Sequence, residues 1–445
     1  MPVVRRMTVL IILATLLAAC QPVSTPTPTQ PPTLPPATPT LPPAPSPTPS
    51  PAPITPAGTP TPYQASTLVH LRMFNTNAGW GIDSLGNILH TTQGIDQWRN
   101  LSPRGAKPGA GPSRTTAFFL DEQHAWALYT PQDSPQVTQL EIWHTDDGGR
   151  TWAAGEPIQY SMDFLGPVAL QFVDPQHGWF LGQIYPGMHQ VYALLYATTD
   201  GGATWQLVSD STPMADQSNS LLGSYSLPYG TQSFTFINDQ SGFAGGDQLY
   251  QTQDGGKSWL PVSLPTPPNA PRLNQASLFV SPPQFATPQD GVLQVAQYEF
   301  DNVYCPPCDI AMNLPAALYL YYTHDGGQTW TPYPAPALAG TTGLIDAQNG
   351  WFLGSSDLTL ASTALYLTTD GGQTWTIKTK DSFLPICSRL QFLDSQTAFA
   401  DNPYNQGMGR FWIDLPSPQS CDLPYLYQSM DGGETWNEMN LSPLP

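Results

Sequence analysis

An octapeptide, Thr-x-Asp-Gly-Gly-x-Thr/Ser-Trp, recurs six times along the chain, at 145–152, 198–205, 252–259, 323–330, 368–375 and, opening with Ser429, at 429–436. A seventh, eroded copy at 91–98 has Gln93 in place of the aspartate and Ile95 in place of the second glycine. Repetition at a period of roughly 45 to 70 residues constrains the fold more than any other feature, because each unit must bury its apolar face against the next. Within the octapeptide, the carboxylate and the threonine hydroxyl suit the capping of backbone N–H groups in a tight turn, and Gly-Gly supplies positive φ at low steric cost. The tryptophan opens the following strand with a large ring to bury and one N–H to satisfy. The carboxylates Asp147, Asp200, Asp254, Asp325, Asp370 and Asp431, with the tryptophans Trp152, Trp205, Trp259, Trp330, Trp375 and Trp436, are therefore expected to be structural.

A second element precedes each box. Asn75, Asp121, Asp174, Asn238, Thr287, Asp346 and Asp394 each open a short polar turn that ends in Gly or Ala followed by an apolar residue, as in Asp121-Glu-Gln-His-Ala-Trp126. Mostly apolar stretches such as 168–173 precede this turn and runs such as 179–181 follow it, which reads as strand, turn, strand. A third strand, for example 192–198, then leads through the box hairpin to a fourth. Four strands per unit and seven units predict an all-β fold, a seven-bladed β-propeller of four-stranded antiparallel blades occupying 63–445 as one domain. The turns between first and second and between third and fourth strands must then share one face, and the remaining links the other.

The octapeptide matches the Asp-box of the BNR repeat. With the preceding Asp-x-x-x-Gly-Trp turn it is similar to the photosystem II stability/assembly factor family over nearly all of 64–445, blades 2, 3 and 6 being nearest. The resemblance implies a non-enzymatic, seven-bladed propeller outside the cytoplasmic membrane or in the thylakoid lumen, with its box turns away from the ring axis. It also implies a basic surface patch that contacts an assembling reaction-centre polypeptide. This chain departs from that pattern: 14 Lys and Arg face 33 Asp and Glu, for a formal net charge of −19. Such a surface disfavours nucleic acid and anionic lipid as partners.

Residues 1–19 carry Arg5 and Arg6, then an apolar run too short for a comfortable membrane span, then Leu-Ala-Ala before Cys20, the pattern of a bacterial lipoprotein signal. Cys20 is the expected lipid attachment, which would make the anchor the only membrane contact and place the protein in the cell envelope outside the cytoplasmic membrane. Residues 20–62 are almost entirely Pro, Thr, Ser and Ala, which predicts a disordered stalk with nothing to bury. At about 3.1 Å per residue such a stalk reaches on the order of 130 Å. Beyond Cys20 there are four cysteines, Cys305, Cys308, Cys387 and Cys421. In an oxidising location an even number predicts disulfides; three connectivities are open, and Cys305 with Cys308 and Cys387 with Cys421 is the favoured one.

Every long insertion falls on the face opposite the boxes, at 99–114, 153–167, 184–190, 206–231, 260–274, 297–316, 355–363 and 400–423, so recognition is expected there. Tyr160, Tyr185, Tyr225, Tyr229, Tyr298, Tyr304 and Tyr404 are its candidate contact residues, and Asp83 and Asp247, which follow second strands, are candidate carboxylates near the axis. Sialidases share Asp-boxes but require an arginine triad, a Phe/Tyr-Arg-Ile-Pro motif and a Tyr–Glu pair, which the eight arginines after residue 20 do not supply. Other Asp-box glycosidases place paired carboxylates in a cleft between two propellers, and only one ring is encoded here. The expectation is a monomeric, non-enzymatic propeller without cofactor or metal that binds a protein as scaffold or assembly factor; the alternative is a carbohydrate-binding or glycoside-cleaving surface protein.

Overall fold

The computed structural model describes residues 55–56, 68–106, 115–130, 139–159, 164–187, 190–211, 227–228, 231, 233–268, 270–271, 276–299, 315–356, 362–386, 388–401 and 426–439. Cys20 and all four other cysteines lie outside them, as do Tyr160, Tyr225, Tyr229, Tyr304 and Tyr404.

Seven four-stranded antiparallel blades follow one another along the chain. Blade 1 comprises Leu68–Met73, Gly79–Asp83, Ile88–Thr91 and Arg99–Asn100; blade 2, Thr115–Phe119, Ala125–Tyr129, Ile142–Thr145 and Thr151–Ala154. Blade 3 comprises Phe164–Phe172, Gly178–Gly187, Gln190–Thr198 and Gln206–Asp210; blade 4, Phe234–Phe236, Gly242–Ala244, Leu249–Thr252 and Leu260–Val262. Blade 5 comprises Ala276–Val280, Gly291–Glu299, Ala317–Thr323 and Thr331–Pro334; blade 6, Ala339–Leu344, Gly350–Ser355, Thr363–Thr368 and Thr376–Ser382; blade 7, Arg389–Phe392, Ala398–Asp401, Leu426–Ser429 and Asn437–Glu438. Two short additions flank this frame: Thr55–Pro56 pairs with Thr151 and Trp152 as a fifth strand of blade 2, and Gln284–Phe285 pairs with the second strand of blade 5. Strands run further than the sequence pattern indicated in blade 3, where much of 184–190 belongs to a long hairpin, Ile184 pairing Tyr192 and Gly187 pairing Gln190.

The core is divided among the blade interfaces. Each of seven apolar clusters straddles one junction, from Trp80 with Phe119 between blades 1 and 2 round to Leu71 with Phe399 between blades 1 and 7. The tryptophan that follows the polar turn lies on a phenylalanine of the next blade: Trp126 stacks on Phe172 and Trp179 on Phe236, both at 3.6 Å between centroids. The same indoles reach forward with their N–H groups, Trp126 to Gly201 O at 2.7 Å and Trp179 to Gly255 O at 2.9 Å. Each such ring thus buries apolar area and satisfies its donor on the neighbouring blade, which holds neighbours in register.

Among the described residues no strand is shared between blade 1 and blade 7. The first strand of blade 1 has a free inner edge, and blade 7 covers it with side chains. Gln391 accepts from Met73 N–H at 3.0 Å and donates to Met73 O; Asp401 accepts from Leu71 N–H at 3.1 Å; Arg389 donates to Leu71 O at 3.0 Å. The amide of Gln391 supplies one donor and one acceptor, as an adjoining strand would, and so closes an edge that would otherwise be open. Gln171 of blade 3 grips Phe236 N and O of blade 4 in the same way.

Candidate binding face and its carboxylates

The box turns account for their own polar groups. In blade 2, Thr145 Oγ1 donates to Asp147 Oδ1 at 2.9 Å and accepts from Gly149 N–H at 2.9 Å; Asp147 also accepts from Thr151 N–H at 2.9 Å and from Thr151 Oγ1 at 2.7 Å. The pattern repeats around Asp200, Asp254, Asp325, Asp370 and Asp431. Partial burial works to raise the Asp200 carboxyl, but the bonds from Thr204 and Thr198 outweigh it and hold it below the usual carboxylate range. At Asp370 the bond from Thr374 is the largest influence, in the same direction. Both glycines take positive φ, for example 74° at Gly201 and 93° at Gly202.

The two repeated motifs meet on one face, as strand antiparallelism requires. The first box glycine donates its N–H to the carbonyl two residues into the polar turn of the same blade: Gly148 to Gln123, Gly201 to Gln176, Gly255 to Gln240, Gly326 to Gln289, Gly371 to Gln348 and Gly432 to Gln396, all at 2.8–3.0 Å. Gly94 of the eroded copy bonds Asn77 O at 2.8 Å likewise. The residue opening each turn caps it, as Asp121 does by accepting from Gln123 and His124 N–H. The box indoles are less uniform than expected: Trp205, Trp259 and Trp436 donate within their own boxes and Trp152 reaches Leu101 O, whereas Trp330 and Trp375 donate to nothing among the described residues.

The opposite face is also connected as expected. Gln139–Leu140, before the third strand of blade 2, pairs with Ile158–Gln159 in the link to blade 3. Thr115 Oγ1 donates to Gly86 O, joining the blade 1 loop to the start of blade 2. Of the candidate residues here, Asp83 is fully buried, and its carboxylate accepts from Leu85 N–H, Asn87 N–H and Asn87 Nδ2 at 2.8 Å each. It holds its own turn together. Asp247 sits beside Tyr250, whose hydroxyl donates to it at 3.4 Å, and no hydrogen bond links it to Asp83. Tyr298 lies half-buried in the second strand of blade 5, and Tyr185 lies in that of blade 3. Between blades 5 and 6 a pocket of about 30 Å³ is lined by Ser281, Gln284, Gln294 and Thr341, room for a water or two. Among the described residues no three His, Cys, Asp or Glu gather as metal ligands, and no helix is long and apolar enough to cross a membrane.

A charged cluster at the junction of blades 1 and 7 was not visible in the sequence pattern. Asp401 is buried; Arg389 donates Nε to its Oδ1 at 3.1 Å and Nη2 to its Oδ2, and His70 Nδ1 donates to Oδ2 at 3.0 Å. Burial, then the Arg389 charge, push His70 down to about 4, against the pull of Asp401. Burial acts to raise Asp401, but Arg389 and His70 hold it below its usual value. His70 also stacks on Phe119 at 6.2 Å. The partners lie more than 300 positions apart, and no local motif announces them.

A model of the BNR/Asp-box repeat matches residues 321–332, the box of blade 5. A probable oligoxyloglucan-reducing end-specific xyloglucanase of Neosartorya fischeri is 24% identical over 226 residues, 44% of this chain and 27% of that protein, so the chain spans about a quarter of the relative's length. Among solved structures, YCF48 bound to D1 peptide is similar with a TM-score of 0.44 and 16% identity over 77% of this chain and 92% of that one. YCF48 from Cyanidioschyzon merolae gives 0.43 and 17%, over 77% and 95%. The GH74 xyloglucanase from Xanthomonas campestris gives 0.29 and 15%, over 82% and 54%. The chain carries Asp-box repeats on a seven-bladed propeller.

Proposed function

We propose that this protein is a non-catalytic scaffold of the bacterial cell envelope, held by a lipid on Cys20 at the end of the 20–62 stalk, that binds a protein partner on the face opposite its Asp-boxes. One observation carries the non-catalytic part: the recurrent carboxylates are all occupied as turn caps, and Asp83 and Asp401, the buried acids at the ends of second strands, are occupied by their own turn and by Arg389 and His70. Glycoside cleavage needs one carboxyl free to give a proton and a second free to attack or to activate water. The placement of the long insertions supports the choice of face, and the lipobox and stalk composition support the location.

The xyloglucanase likeness favours a second reading, a glycan-binding or glycan-cleaving surface protein. Incubating the purified protein with xyloglucan oligosaccharides and measuring reducing ends, alongside affinity capture from the native envelope, separates the two. Scaffold function requires no release of reducing ends and enrichment of a protein partner. Hydrolysis that disappears when Asp247 is replaced by Asn establishes the second reading instead.

A further inference from the structure

Arg72 lies in the first strand of blade 1, the strand nearest the axis, with its guanidinium 5.4 Å from the centre of the Phe74 ring and 5.7 Å from that of Phe118 on blade 2. Among the described residues it forms no salt bridge, although the molecule carries a net charge of −19. The charge that acts on it is a second guanidinium, that of Arg389; burial, then this repulsion, lower Arg72 to about 10, so it stays charged at neutral pH. Asp401 does not compensate both. Its oxygens are taken by Arg389, by His70 Nδ1 and by Leu71 N–H. The cluster therefore holds two guanidinium charges, one carboxylate and a neutral imidazole, an excess of one positive charge in an otherwise acidic molecule.

A half-buried cation with no counter-ion among the described residues is costly, and aromatic faces return only part of that cost. We propose that Arg72, with Arg389 behind it, forms an anion site on the inner side of blade 1 that takes a carboxylate carried on an apolar group. The planar fork of Arg72 matches the two oxygens of a carboxylate. Phe74 and Phe118 flank the fork with apolar surface, which selects an aromatic or branched organic acid over acetate. The single excess charge matches a monoanion, whereas a phosphate dianion meets the repulsion of the surrounding acidic surface. The same chemistry is presented by a free organic acid and by the C-terminal carboxylate of a peptide ending in an apolar residue.

The test uses the full chain at constant ionic strength, with calorimetric titration and thermal melting in benzoate, acetate and the neutral isostere benzamide. A short peptide ending in phenylalanine is added with either a free or an amidated C-terminus. Benzoate is expected to bind saturably and raise the melting temperature. Acetate binds at least tenfold more weakly, benzamide does not bind, and Arg72→Met loses at least tenfold in benzoate affinity while melting no lower than the parent without ligand. Tighter binding of the free-acid peptide than of benzoate, lost on amidation, identifies a chain terminus as the source; equal or weaker binding identifies a free acid. Benzoate binding unchanged in Arg72→Met, equal binding of benzamide, or no saturable binding of any carboxylate overturns the proposal.

Discussion

Replacing Asp200 by Ala removes three hydrogen bonds from one box: those from Thr198 Oγ1 at 2.8 Å, Thr204 N–H at 2.9 Å and Thr204 Oγ1 at 2.6 Å. The carboxylate is a side-chain cap in chemical terms, and loss of such caps costs about 0.5–2 kcal/mol. The upper end applies here because three donors lose their partner. Water reaches the exposed Thr204, which keeps the cost from climbing further, and Thr198 Oγ1 still accepts from Gly202 N–H at 2.9 Å. With an unfolding entropy of about 2.1 cal/mol/K per residue, a ring of roughly 380 residues loses a little over 1 °C per kcal/mol, so the midpoint is expected to fall by about 2 °C. Scanning calorimetry resolves that shift. The boxes are far apart and their effects should add. Removing all six carboxylates then costs on the order of 10 kcal/mol, comparable to the whole stability of an ordinary domain, and that variant should not fold. An unchanged midpoint in Asp200→Ala combined with loss of partner binding at 10 °C refutes the structural assignment of the box.

Three further outcomes follow from the geometry. Gly327 has φ of +86°, and a Cβ there would sit 2.3 Å from Phe243 Cζ, so Gly327→Ala should cost more than about 3 kcal/mol in urea unfolding, whereas the same change at an unstrained helical or strand site gains about 0.5–1 kcal/mol. Gln391→Ala strips both polar groups of Met73 from their partner and should cost about 2–3 kcal/mol, with faster hydrogen exchange at Met73 N–H and no change at the blade 3–4 junction, where Gln171 performs the same task. His70 and His90 are both held down to about 4, so the unfolded chain takes up protons below about 6.5 while the folded chain does not. Stability should therefore fall as pH drops from about 6.5 towards 4, by up to about 3 kcal/mol for each histidine, and His70→Gln should flatten that slope in urea titrations at pH 7.5 and 5.

The blades were legible because their determinants are local. A carboxylate two residues after a threonine and four before another hydroxyl can satisfy the turn it sits in, so Asp147 and its counterparts declare both their structure and their role from the octapeptide alone. The polar turn was equally readable, since Asp121 or Asn75 caps donors two and three residues ahead. What joins those two turns, the bond from Gly148 N–H to Gln123 O, could be inferred only as a shared face, because backbone carbonyls leave no mark in a sequence. Asp83 was misleading for a related reason. Its place after a second strand suggested an axial carboxylate, while Leu85 and Asn87, two and four residues on, already supplied the donors that occupy it.

The junction of blades 1 and 7 was illegible because its logic is relational. A glutamine in a strand, a histidine before a leucine and an arginine after a serine are ordinary on their own. Only the ring closure brings Gln391 to Met73, and Asp401 to His70 and Leu71, across more than 300 residues. A ring sealed by side chains has a weaker last joint than one sealed by a shared strand, since four side-chain hydrogen bonds to the backbone of Leu71 and Met73 replace a ladder. Local opening should therefore begin at this junction, and the buried charge of Asp401 and the half-buried one of Arg389 oppose its reclosure: once parted they are solvated separately, and reclosure must desolvate both. Hydrogen exchange on the intact protein should accordingly find Leu71 and Met73 N–H less protected than the matching first-strand amide of Phe236. Equal protection at all of these positions would mean that the side-chain seal is as strong as the packed interfaces around the rest of the ring.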